Sequence, residues 1–128
     1  MKYLSTRGNS PSQTFSQVLL SGLGEDGGLM LPESLPKITD AELTAWRALP
    51  YHALAHAVLS KFVSPDDIDS ATLAALTKAA YTKDVFGTDE ITPLRKIDAF
   101  APGMQIQALS NGPTLAFKDM AMQLLGRL

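Results

Sequence analysis

A lysine at the start of a predicted helix, directly after a strand and a tight turn, constrains this chain of 128 residues more than any other feature. Met104–Ala108 alternates apolar and polar residues, which predicts a half-buried strand. The turn that follows contains Gly112-Pro113, and Lys118 then falls in the first helical turn, where the helix dipole disfavours a cation by about 0.3–1 kcal/mol. Apolar residues recur from there at the spacing of one buried helix face: Phe117, Met120, Ala121, Leu124, Leu125 and Leu128. We therefore predict a strand–turn–helix unit with a candidate nucleophilic amine at Lys118.

Helix-start signals precede this unit at two places. Thr14 with Gln17, and Thr39 with Glu42, have the spacing of capping boxes, in which each side chain binds the other residue's backbone N–H. Gly22 supplies an end for the first of these two helices. Both helices are therefore predicted from local sequence alone.

Two longer helices are predicted in the middle of the chain, with short strands on either side. Tyr51–Phe62 fits the helical template, and a further helix is predicted to begin at Ser64–Asp67 and to run towards Tyr81. Tyr3–Thr6 and Leu29–Leu31 read as short strands. The predicted fold class is mixed α/β: a mainly helical N-terminal domain with short strands, followed by the strand–turn–helix unit.

Composition and charge exclude several classes of partner. Net charge is −2 without a basic cluster, so neither nucleic acid nor a membrane is expected as a partner. The chain has no cysteine, which excludes disulfides and thiolate metal sites and fits a cytoplasmic protein. No apolar run approaches the length of a membrane span.

Two patterns imitate functional motifs. Gly22–Gly27 spells G-x-G-x-x-G, but it follows a helix and precedes a strand, the reverse of a dinucleotide-binding site. We interpret it as a turn. His52 and His56 are four residues apart on one helix, yet no third ligand is suggested, so no metal site is predicted.

The remaining polar candidates have structural explanations or supporting roles. Asp66, Asp67 and Asp69 fall in the first turn of a predicted helix, where the dipole favours carboxylates. Ser110 and Thr114 have no histidine near in sequence to serve as a base, so a serine-type nucleophile is unsupported. Their predicted role is to donate hydrogen bonds from the turn.

Asn111–Asp119 resembles the pyridoxal-phosphate lysine motif of threonine synthases. Three further segments resemble the same family in the same order: Lys2–Gly8 its opening strand, Gly22–Leu29 its glycine-rich turn, and Thr92–Leu94 its lead into the catalytic domain. The resemblance implies a fold type II pyridoxal-phosphate enzyme. It also implies a boundary, with an N-terminal domain over residues 1–92 and the start of a truncated catalytic domain over 93–128.

The resemblance also implies an activity and a set of site residues. Threonine synthases are lyases of threonine biosynthesis that convert O-phospho-L-homoserine and water to L-threonine and phosphate. Lys118 would carry pyridoxal 5′-phosphate as a Schiff base and then act as acid and base, with Phe117 packing beside the cofactor ring. Ser110, Asn111 and Thr114 are the candidates for contacts to substrate or cofactor.

Two other classes of function stay open at this point. Another fold type II lyase, similar to threonine or serine dehydratases, would share the lysine-bearing helix but not the N-terminal segments. A non-catalytic helical interaction module would need no Lys118. The glycine-rich phosphate cradle and the partner of the ring nitrogen are not found in the chain, so we expect residues 1–128 alone to be inactive. We also expect Leu124, Leu125 and Leu128 to be buried by self-association or to be disordered.

Overall fold

The computed structural model describes residues 1–128 and has the predicted mixture of helices and short strands. The helices are α1 Phe15–Ser21, α2 Asp40–Trp46, α3 Tyr51–Leu59, α4 Ser70–Ala80, α5 Lys83–Phe86 and α6 Asp119–Leu125. The strands are β1 Tyr3–Ser5, β2 Met30–Pro32, β3 Leu94–Lys96 and β4 Gln105–Gln107. The chain divides into two compact units, residues 1–49 with 54–73 and residues 50–53 with 74–128. None of the helices combines the length and the apolar character that a membrane crossing needs.

The first unit is organised by an antiparallel pair of strands. In that pair Tyr3 of β1 lies opposite Pro32 of β2, and Ser5 lies opposite Met30. The Tyr3 side chain is only 7% exposed, and its hydroxyl donates to the carbonyl of Phe62 at 2.9 Å. The strand pair is thereby tied to the chain that follows α3.

The glycine-rich segment between α1 and β2 is a loop, as predicted. Its centre is the Asp26 carboxylate, which accepts hydrogen bonds from the Ser5 hydroxyl at 2.7 Å and from the backbone N–H groups of Asn9 and Gly28, both at 2.9 Å. These bonds, chiefly the one from Ser5, lower the pKa of Asp26. Gly28 is required here because a Cβ at this position would lie 2.1 Å from the Ser5 hydroxyl. The carboxylate therefore has a structural role.

Both predicted capping boxes are confirmed. The Thr14 side chain accepts from the backbone N–H of Gln17, whose side chain binds the Thr14 N–H in return. Thr39 and Glu42 make the same reciprocal pair at the start of α2. The helix predicted over Tyr51–Phe62 is present as α3, with its last residues in a turn.

The predicted start of α4 is wrong by several residues. Residues 64–68 form turns, and the helix begins at Ser70. Asp69 is the residue that caps it, because its carboxylate accepts from the backbone N–H and the hydroxyl of Thr72, at 3.0 and 2.6 Å. Asp67 lies in a turn outside α4, and its carboxylate accepts from a backbone N–H in the first turn of α1. This long-range contact of Asp67 is not visible in the sequence spacing.

The second unit contains a β-hairpin. Leu94 of β3 lies opposite Gln107 of β4, and Lys96 lies opposite Gln105. All residues of both strands are exposed, including Ile106 at 52%. The prediction of a half-buried strand is therefore wrong for this chain, because no further strand or helix covers one face of the ribbon.

An aromatic cluster forms the core of the second unit. The ring of Tyr81 meets that of Tyr51 edge-on, with centroids 4.9 Å apart and planes at 70°. It also lies 6.0 Å from the ring of Phe86, which is 2% exposed. The buried apolar residues of this unit are Ala80, Phe86, Ile91 and Leu124. Aromatic pairs in this arrangement contribute beyond their buried area.

The capping role of Asp69 leads to a prediction about stability. Asp69→Ala should lower the urea midpoint of unfolding at pH 7, whereas Asp66→Ala, which removes an exposed carboxylate without a hydrogen bond to its side chain, should leave it unchanged. The hydrogen bonds from Thr72 lower the pKa of Asp69, so its stabilisation is present above the unfolded-state pKa of about 4 and is lost at lower pH. The difference between the variants should therefore shrink in acid; equal midpoints at pH 7 would contradict the assignment.

Candidate functional site

Lys118 lies at the end of the loop that joins β4 to α6. It is the N-cap residue of α6, with φ −60° and ψ −26°, one position before the helix rather than inside its first turn. The side chain is exposed, and its ammonium makes neither a hydrogen bond nor an ion pair within the chain. The amine is therefore free to react with a ligand.

The residue after Lys118 fixes the loop in place. Asp119 is only 3% exposed, and its carboxylate accepts from the backbone N–H and from the hydroxyl of Thr114, each at 2.9 Å. A buried carboxylate is costly unless donors surround it, and these two donors satisfy it. We call this pair of residues the Asp119–Thr114 clasp. It closes a loop that contains the lysine, since Lys118 lies between Thr114 and Asp119 in the chain.

Two backbone features allow the clasp to form. A Cβ at Gly112 would lie 2.3 Å from the Cβ of Asp119, so only glycine permits the carboxylate to approach the loop. Leu115 has a φ of +58°, a left-handed conformation that costs a non-glycine residue energy. The loop is held in a conformation that its own backbone preferences do not favour.

The other predicted site residues lie on the same loop with different contacts. Phe117 is 67% exposed, so an aromatic face is available beside the lysine. Ser110 is exposed, while the Asn111 amide donates to the carbonyl of Ile91 at 3.3 Å. The Thr114 hydroxyl is already used in the clasp. Direct ligand contacts by Ser110, Asn111 and Thr114 stay predictions.

An open groove of about 650 Å³ lies beside this loop. Residues of the hairpin, among them Arg95 and Ile106, form one part of its lining. Ser110, Leu115 and Phe117 form another part. The groove is mostly apolar, with one cation at its wall, and it brings the predicted residues Ser110 and Phe117 to one surface.

The apolar stripe of α6 is buried only in part. Leu124 is 6% exposed and Met120 is half-buried, whereas Phe117 and Leu125 are exposed at 67% and 45%. The prediction of one continuous buried face is therefore wrong for this chain, since only the edge of the helix at Met120 and Leu124 enters the core of the second unit. Of the two exposed side chains, Phe117 lines the groove.

Sequence reasoning missed one residue that contacts this helix. The hydroxyl of Tyr81 donates to the backbone carbonyl of Met120 at 2.9 Å. Burial, and then the neighbouring Tyr51, raise the pKa of Tyr81 to about 12. The sequence marks Tyr81 only as the residue towards which a predicted helix runs. Nothing in the local sequence indicates a contact with a backbone carbonyl 39 residues away.

One of the two histidines makes a side-chain contact within the chain. The Nε2 atom of His56 is 3.1 Å from the hydroxyl of Ser70, at the first residue of α4. His52 is half-buried on α3. The arrangement supports the interpretation of both residues as helix-flank histidines.

The close approach at Gly112 can be tested with a matched glycine. Gly112→Ala should lower the free energy of unfolding by about 1–3 kcal/mol, because the new methyl overlaps Asp119. Gly126→Ala is the control, since its Cβ would have only an ordinary contact at 3.5 Å. Urea denaturation of both variants checks this, and an equal effect of the two substitutions would contradict the geometry of the loop.

Comparison with known proteins identifies the family. The family model for the threonine synthase N terminus matches residues 2–81. Threonine synthases of Methylobacillus glycogenes and Pseudomonas aeruginosa are each 45% identical to this chain over all of its length, which corresponds to 27% and 26% of theirs. The crystal structure of pyridoxal-phosphate-bound threonine synthase from Brucella melitensis superimposes with a TM-score of 0.90 at 43% identity, over 99% of this chain and 26% of that one.

These matches confirm the resemblance seen in the sequence and the predicted fold class. They extend over Lys118 and its loop, since the similarity covers the whole chain. The chain spans about a quarter of the length of the relatives that it matches. It belongs to the threonine synthase family.

Proposed function

We propose that the full-length protein containing this chain is a threonine synthase, a lyase that converts O-phospho-L-homoserine and water to L-threonine and phosphate. Membership of the family supports the activity. The observation that carries the assignment of the site is the unpaired amine of Lys118 at the end of a loop fixed by the Asp119–Thr114 clasp.

The residues of this chain fit pyridoxal 5′-phosphate as cofactor. Its aldehyde carbon requires an unpaired amine, and Lys118 offers one. Its aromatic ring requires an apolar neighbour, and the exposed face of Phe117 lies next in the chain. When bound, pyridoxal phosphate supplies an electron sink that stabilises negative charge on a substrate carbon.

Each residue then has a definite task. Lys118 would hold the cofactor through Nζ, and this amine, once released from the cofactor, would accept and return protons at the substrate. Phe117 would pack beside the cofactor ring. Ser110 and Asn111 contact the substrate or the cofactor, while Thr114 does so only in addition to its bond with Asp119.

The rest of the full-length protein completes the site. We propose that the phosphate cradle and the partner of the ring nitrogen come from residues outside this chain, and that the catalytic domain begins near Pro93. Residues 1–128 alone are then inactive and bind the cofactor weakly, because only one of the attachment points is present. The exposed Leu125 would favour self-association of this isolated part, whereas Leu124, for which the same was expected, is already buried within the chain.

The proposal includes the setting of the enzyme. We infer a cytoplasmic protein whose partners are small molecules, with neither nucleic acid nor a membrane among them. A net charge of −2 without a basic cluster and the complete lack of cysteine support this setting.

Reductive trapping tests the assignment of Lys118. Borohydride treatment of the full-length protein with pyridoxal phosphate should label the peptide that carries Lys118, and Lys118→Ala should abolish both the label and the visible absorbance of the bound cofactor. Lys96→Ala, which removes an exposed lysine of β3, should retain both. Phosphate release from O-phosphohomoserine should be lost only in the Lys118 variant.

Two results would contradict the assignment of the cofactor site, and a third would contradict the substrate. One is a label on a lysine other than Lys118. The other is a saturable visible band of full intensity with residues 1–128 alone, which would show that no further attachment points are needed. The third result is a labelled Lys118 in a protein that does not release phosphate from O-phosphohomoserine. In that case the assignment of the cofactor would stand and the assignment of the substrate would be refuted.

A further inference from the structure

Tyr81 makes a contact with the lysine-bearing helix that the proposed chemistry does not use. Its hydroxyl donates to the carbonyl of Met120, two residues after Lys118, at 2.9 Å. The same turn contains the bond from the Met122 N–H to the Lys118 carbonyl, also at 2.9 Å. Tyr81 therefore holds the helical turn that begins at the lysine.

The ring of Tyr81 is itself held by neighbours on two sides. Tyr51 packs edge-on against it at 4.9 Å, and the buried Phe86 lies at 6.0 Å. A hydroxyl on a fixed ring has little freedom to leave its partner. The hydrogen bond to Met120 thus connects the packed aromatic cluster to the start of α6 and restrains it.

We propose that Tyr81 is a positioning residue for Lys118, an inference that rests on the proposed function. The Asp119–Thr114 clasp fixes the chain before the helix, and the Tyr81 hydroxyl fixes the first turn after the lysine. With both sides held, the base of the Lys118 side chain keeps one position while its exposed amine stays free to react. Tyr81 is also the last residue matched by the family model, so the matched region contributes directly to this turn.

The hydroxyl, and not the ring alone, carries this role. Burial raises the pKa of Tyr81 to about 12, with a smaller contribution from Tyr51, so the group is protonated and donates at every physiological pH. Tyr51 offers an internal comparison, since burial also raises its pKa but its hydroxyl makes no hydrogen bond within the chain. Removal of the Tyr81 hydroxyl should therefore loosen the first turn of α6, whereas removal of the Tyr51 hydroxyl should not.

The first experiment measures the turn in the full-length protein without cofactor. Tyr81→Phe should accelerate hydrogen exchange of the amides of residues 119–125 by about 2- to 10-fold, the effect expected for loss of one hydrogen bond. Tyr51→Phe, which keeps the aromatic pair and removes a hydroxyl without a partner, should leave these amides unchanged. Equal exchange in both variants would overturn the proposal.

The second experiment reads out the position of the lysine through the cofactor. Tyr81→Phe should weaken pyridoxal-phosphate binding by about 2- to 10-fold and reduce the visible circular dichroism of the bound cofactor, whereas Tyr51→Phe should change neither. If Tyr81→Phe keeps the wild-type affinity and dichroism, the hydroxyl of Tyr81 has only a structural role, and the proposed positioning role is overturned. Borohydride labelling of Lys118 in the wild-type protein separates the two proposals, because failure there refutes the proposed function itself.

Discussion

The buried contact between the Asp119 carboxylate and Thr114 is the interaction on which the rest of the site depends. Its two hydrogen bonds, both at 2.9 Å, compensate a carboxylate that is 3% exposed. Charge-assisted bonds of this kind are among the stronger ones in proteins. They also explain the glycine at position 112, since a Cβ there would overlap Asp119. The same loop contains Leu115 in a left-handed conformation.

The backbone around the lysine is thus held by neighbouring residues and not by contacts of the lysine side chain itself. Lys118 is exposed and unpaired, and nothing in its own side chain restricts it. Order comes from the clasp before α6 and from the hydroxyl of Tyr81 within its first turn. Both contacts restrain the backbone on either side of Lys118 and leave its side chain without a partner in the chain.

Local signals in the sequence predicted the parts of the fold that local physics determines. The capping boxes of α1 and α2 involve residues three apart, so the pattern and the structure agree. The start of α4 was misjudged because Asp67 binds a backbone N–H of α1, about 50 residues away, and leaves Asp69 as the cap. Burial of β4 was overestimated because alternation shows which faces of a strand differ, but not what covers them.

At the candidate site, too, local features were predictable from the sequence and long-range contacts were not. The place of Lys118 between β4 and α6 was predictable because the motif is contiguous. Its role as the cofactor lysine stays a prediction. The contact of Tyr81 with α6 was not predictable, because a hydroxyl that binds a distant carbonyl leaves no pattern in sequence. Asp119 gives no sign in the local sequence that its carboxylate is buried. Its inward orientation follows from Gly112 and Thr114 together, a combination that becomes visible only once the loop is folded.

The rate of reductive trapping of pyridoxal phosphate at Lys118, in the absence of substrate, is the most direct measurement of whether the clasp sets the lysine. Thr114→Val preserves the shape of the side chain and removes the hydroxyl that binds Asp119, while Thr114→Ser retains a hydroxyl. The valine variant of the full-length protein should trap the cofactor several-fold more slowly than wild type, with the serine variant close to wild type. A valine variant as fast as wild type would contradict the central role of the Asp119–Thr114 clasp.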